Sequence, residues 1–157
     1  MATSNDGGHN HPRSTAKIGT HPIHPMLVSF PIVCFILTFV CDILYTQGHT
    51  ELAAPSTWLL GIGLVMAALA AAAGLTDFLG DDQIRNSSDA LKHMLANVTA
   101  VVLELVNFFL RIKDVTSIGS TGVYISLVVV LILLYSGWKG GDLVFRHGVG
   151  VGDTPNP

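Results

Sequence analysis

Thr20-His21-Pro22-Ile23-His24-Pro25-Met26-Leu27-Val28-Ser29-Phe30-Pro31 sets two imidazoles and three prolines at the threshold of a long apolar run. From Met26 the chain stays largely apolar to Tyr45, about the 20 residues that cross the hydrocarbon core of a bilayer. Proline is tolerated in a first helical turn, so His24-Pro25 reads as the entrance of a helix. Pro31, inside that helix, removes one backbone hydrogen bond and predicts a kink. At about 100° per residue His24, Pro31, Thr38, Asp42 and Tyr45 fall on one face. The stretch is therefore the mouth of a membrane helix whose polar seam turns toward its partners.

The rest of the composition agrees. Half of the 157 residues are apolar and only 12% are charged, and the apolar residues come in blocks rather than in the alternations of a soluble core. A net charge of -3 supplies no basic surface for nucleic acid, which is excluded as a partner. Cys34 and Cys41, seven positions apart in one helix, point the same way and cannot bridge each other. Residues 1–19 form a polar N-terminal arm without an apolar segment, which reads as disordered and not as a secretory signal. His9 and His11 in that arm read as solvated tail.

Three further blocks follow the first span at 26–45. The second, 56–79, repeats small residues every fourth position, at Gly63, Ala67 and Ala71 and at Ala70 and Gly74, so that helices can approach closely in lipid. It carries no charge until Asp77. The third, 89–111, is capped by Ser87, Ser88 or Asp89 and sets His93, Asn97, Ala100, Glu104, Asn107 and Arg111 in one stripe. Glu104 falls near mid-membrane, where an ionised carboxylate is strongly disfavoured without a cation beside it. The fourth, 121–142, runs on through Gly140, Gly141 and Asp142 toward His147, and 149–157 is a flexible tail. The expected domain, 20–148, is an all-α integral membrane bundle of four helices.

With four spans both termini lie on one side. That side collects Arg13, Lys17, Arg85, Lys92, Lys139 and Arg146 against Arg111 and Lys113 opposite, which places both termini in the cytoplasm. His21, His24, Asp77, His93 and His147 then converge at one level. Histidine is the commonest metal ligand and an axial ligand of b-type haem, and a haem between helices needs imidazoles from two of them at one depth. His24 and His93 meet that requirement, with His21 and His147 as rivals. Asp77 and Asn97 stand where they would orient imidazoles, and Arg85, Lys92 and Arg146 where they would neutralise propionates. Without haem, the same imidazoles with Asp77 suit Zn(II), Fe(II) or Cu(II). A structural reading remains open, in which these side chains only cap helices and bond backbone groups, as does a proton or metal-ion conduit through Glu104.

His21-Pro-Ile-His24-Pro-Met-Leu-Val-Ser-Phe-Pro31, Gly74-Leu-Thr-Asp77-Phe, His93-Met-Leu-Ala-Asn97 and Ser136-Gly-Trp-Lys-Gly140-Gly141-Asp142-Leu-Val-Phe-Arg-His147-Gly-Val-Gly-Val151 together resemble the bacterial four-helix membrane family known as domain of unknown function 2231. The resemblance covers residues 19–151. Some members are joined to Rieske-type iron-sulfur or cytochrome domains, so the resemblance implies a redox setting in the bacterial inner membrane. The expectation is a b-type haem or divalent metal on His24 and His93, with His21, His147, Asp77 and Asn97 around it. Its task would be electron transfer with quinone or a redox partner protein, and the alternative is a non-catalytic scaffold or accessory subunit.

Overall fold

The computed structural model describes residues 12, 14–19 and 21–151, and among them four long helices are each apolar and long enough to cross a membrane. They are α1 (Ile23–Thr46), α2 (Ala53–Gly80), α4 (Ser88–Lys113) and α5 (Thr121–Phe145), with a one-turn α3 (Asp82–Arg85) between the second and third. These bounds contain all four expected spans and extend them by up to three residues at each end. α1 begins directly after Pro22 and carries Pro25 in its first turn, where a missing N–H has no intrahelical partner to lose. Ser87 caps α4 by accepting from the Ala90 amide, one of the three caps expected from the sequence.

Two short strands, β1 (Lys17–Ile18) and β2 (His21–Pro22), pair antiparallel just ahead of α1, a feature that no hydrophobic alternation signals. The turn passes through Gly19 at φ +62°, a left-handed conformation that glycine adopts without steric cost. Residues 14–18, assigned by composition to the arm, are thus fixed to the bundle. The tail also meets this segment, since the Gly150 amide donates to the Pro12 carbonyl at 3.2 Å. His9, His11, Arg13 and the tail beyond residue 151 lie outside the described residues.

α1 packs on α2 and α4 on α5, and the two hairpins join through α1 against α5 and α2 against α4. α1 and α4 therefore face one another across the diagonal. The outer faces carry Leu37, Val40, Ile62, Val65, Val98, Val102, Leu131 and Leu134, exposed as lipid-facing residues are. Exposed Trp58 and Tyr124 mark one end of the bundle and Trp138 the other, the positions of interfacial aromatic anchors. Inside, Phe35, Leu60, Ala67, Ala100 and Val129 form an apolar layer. Gly63 makes room for it, because a Cβ there would lie 2.6 Å from the Phe35 ring.

At one end of the bundle the interior is polar. Arg111, on α4, uses all five of its N–H donors inside the protein. Nη1 and Nη2 donate to Asp42 Oδ1 and Oδ2 at 2.8 and 2.5 Å, Nη1 also to Ser56 Oγ at 2.6 Å, Nη2 to Ser126 Oγ at 3.2 Å, and Nε to Asn107 Oδ1 at 3.0 Å. Ser56 and Ser126 in turn donate to Asp42 at 2.6 and 2.7 Å. One fully buried ion pair thereby ties all four long helices together. Asp42→Ala strands the guanidinium without a counter-ion and is expected to cost about 3–5 kcal/mol, read as a lowered unfolding midpoint in detergent. Asp42→Leu combined with Arg111→Met should recover much of that loss, and an Asp42→Ala protein as stable as the parent would show that the pair does not hold the bundle.

Candidate functional site

The opposite end holds the histidines. His24, in the first turn of α1, places Nδ1 2.8 Å from the Ala70 carbonyl of α2. A carbonyl only accepts, so Nδ1 carries a proton and donates it. His93, in the second turn of α4, repeats the arrangement within the other hairpin. Its Nδ1 lies 2.9 Å from the Ser136 carbonyl and 3.0 Å from Ser136 Oγ on α5. Asn97, one turn further along α4, donates its amide to His93 Nε2 at 3.1 Å and to the His93 carbonyl at 2.9 Å. Nε2 of His93 is thus an acceptor, steered by Asn97, and both rings hold Nδ1–H on a backbone carbonyl.

The two rings meet across the diagonal, with centroids 6.2 Å apart and planes at 90°. Each rests on a glycine of the helix to which it bonds. A Cβ on Gly74 would stand 2.9 Å from His24 Nδ1, and one on Gly140 3.1 Å from His93 Cε1. Gly74, read from the sequence as a helix-packing residue, and Gly140, read as a close approach or a break, are therefore seats for imidazoles. Neither Ala70 nor Ser136 is marked by its residue type, since the acceptors are backbone carbonyls.

The other residues expected here are placed differently. His21 is exposed on β2 and makes no side-chain hydrogen bond among the described residues. His147 lies 3.3 Å from Asp89 and joins an ion-pair group with Lys139, Asp142 and Arg146, apart from the ring pair. Among the described residues Asp77 bonds no imidazole. Its Oδ1 accepts from Ser14 Oγ at 2.9 Å, from the Thr15 amide at 2.8 Å and from the Ala16 amide at 2.7 Å, so it anchors the segment leading into β1. Of the cations assigned to propionates, Arg85 pairs with Asp82 and Arg146 with Asp142, while Lys92 is exposed. His93 and Asn97 are also cut off from the rest of their stripe, because Ala100 below them belongs to the apolar layer.

Among the described residues no three of His, Cys, Asp and Glu come together as a metal-binding group. A bare Zn(II) takes four ligands in a structural site and three in a catalytic one, which two imidazoles do not furnish. Haem iron brings four nitrogens of its own and asks the protein for the axial pair alone. By number of ligands alone, two imidazoles would suffice for a haem iron and fall short of an isolated divalent ion.

The model of a family described as predicted membrane protein, domain of unknown function 2231 (DUF2231), matches residues 20–153. Comparison with curated proteins and with solved structures finds no match. The role of Asp77 is directly testable. Asp77→Ala removes bonds to a charged group that are each worth about 1.5–3 kcal/mol, and tryptic cleavage after Lys17 should accelerate by about tenfold or more. Unchanged cleavage would mean that Asp77 does not anchor residues 14–16.

Proposed function

We propose that this chain, which belongs to the DUF2231 family of predicted membrane proteins, carries electrons within the membrane by holding a b-type haem between His24 and His93. The observation that carries the reading is the diagonal imidazole pair, with both Nδ1–H groups committed to backbone carbonyls. Histidines that bind metal through one nitrogen have the other fixed by such a bond, which sets the tautomer and holds the ring against rotation. When bound, haem supplies one-electron transfer. The protein's own contribution is to present two neutral Nε2 atoms at one depth, and to exclude water with the flanking helices. Ligation through His93 Nε2 would take the place of the bond from Asn97, whose amide would keep its second bond to the His93 carbonyl. The donor or acceptor in this reading is quinone or a redox partner protein. The basic residues around this end, Lys17, Arg85, Lys92, Lys139 and Arg146, support its placement on the cytoplasmic side of a bacterial inner membrane.

One observation favours a second reading. Both histidine bonds run within a hairpin, His24 to α2 and His93 to α5, as staples in a scaffold protein also would. The visible spectrum of the full-length protein in detergent, before and after dithionite, separates the two. The redox reading expects a Soret band and a reduced alpha band, abolished by His24→Ala and by His93→Ala and retained in His147→Ala. A colourless preparation without iron refutes it and leaves the scaffold reading, for which both alanine variants only lower the thermal midpoint.

A further inference from the structure

The stripe on α4 contains one ionisable group that neither reading uses. Glu104 is fully buried near the middle of its span, on the border between the apolar layer and the polar end. Its Oε2 accepts from Asn107 Nδ2 at 2.9 Å, and its Oε1 has no partner among the described residues. The charged groups around it are Asp42 on α1 and Arg111 on α4, while α2 and α5 contribute the uncharged Ser56 and Ser126. Arg111 has no donor left for it, since all five serve Asp42, Ser56, Ser126 and Asn107. Asp42 and Arg111 already neutralise each other. A carboxylate at Glu104 would therefore be a net negative charge inside the membrane, with one neutral hydrogen bond to support it. Such a charge is far more costly to bury than a neutral carboxylic acid with one hydroxyl lacking a partner.

We propose that Glu104 is a proton-binding site, a neutral carboxylic acid at rest that exchanges its proton with the Arg111 end of the bundle. A metal cation is the poorer occupant, because it needs several oxygen ligands and Asn107 turns its amide nitrogen, not its oxygen, toward the carboxyl group. The direction of exchange follows from the layers. Toward His93, eleven residues or about 16 Å along α4, the way is filled by Ala100, Phe35 and Val129. Toward Arg111 lie Asn107, Ser126, Ser56 and Asp42. The site is thus open to one side at most, and the polar stripe is not a continuous conduit. This inference stands apart from the reading of the histidine pair.

Infrared spectroscopy of the full chain in phosphatidylcholine vesicles at neutral pH tests the assignment. The parent should show the carbonyl stretch of a protonated carboxylic acid, shifted in D2O, and Glu104→Gln should lack it. Glutamine has the shape of the neutral acid, so this variant should keep the parent's helix content and unfolding midpoint. A parent without that band, a band unchanged in Glu104→Gln, or a Glu104→Gln chain that fails to fold would each overturn the proposal. Vesicles containing a trapped pH-sensitive dye test the one-sidedness. Proton entry should match that of protein-free vesicles, and an entry abolished by Glu104→Gln would overturn it.

Discussion

The bond from Arg111 to Asp42 crosses the bundle from α4 to α1 and takes α2 and α5 with it through two serines. In lipid the apolar faces of helices gain little from meeting one another, so close packing and interhelical hydrogen bonds must supply the specificity. The histidine pair is the second crossing of the same diagonal, at the other end. Eighteen residues separate His24 from Asp42, and eighteen separate His93 from Arg111. That spacing is five turns at about 3.6 residues each, so both members of each pair lie on one face. It spans about 27 Å, close to the thickness of the hydrocarbon core. The two diagonal contacts thus place α1 and α4 in a common register, with an apolar layer between them.

The histidine end shows why a polar cluster in a membrane protein needs backbone partners as well as side chains. Each imidazole sits against a glycine and bonds the carbonyl of the helix opposite within its hairpin. A carbonyl already engaged in a helix retains a second lone pair, so it accepts the ring N–H without breaking the helix. The rings are held by contacts that also join helices. The same geometry serves the fold and, in the proposed reading, holds two Nε2 atoms for a ligand, and the residues that do this, Gly74, Ala70, Ser136 and Gly140, look ordinary in the chain.

Glu104 and Arg111 lie two turns apart on one helix face and differ because of the donors each meets. Arg111 finds a carboxylate and three polar acceptors, and its charge is compensated within the layer. Glu104 finds one amide hydrogen, and compensation has to come from a proton. The apolar layer then decides which end of the bundle that proton can belong to.

Much of this was legible in the chain. Four apolar blocks of spanning length, short polar connections and proline at a helix entrance dictate an all-helical membrane bundle, because a backbone in lipid must satisfy its own hydrogen bonds. Span parity also brings His24 and His93 to one level, whereas the meeting of Asp42 with Arg111 at the other is announced by neither residue and comes from the tertiary structure. Partners chosen by packing rather than by periodicity were not legible. The acceptors of His24 and His93 are backbone atoms, and Asp77 is engaged by Ser14, Thr15 and Ala16, in a segment whose composition reads as a free arm. The sequence by itself determined the helices and their faces, since hydrophobic length and the 3.6-residue period are local properties. Only the tertiary structure decided which polar groups meet, because that depends on how four faces rotate and slide until each buried donor has found an acceptor.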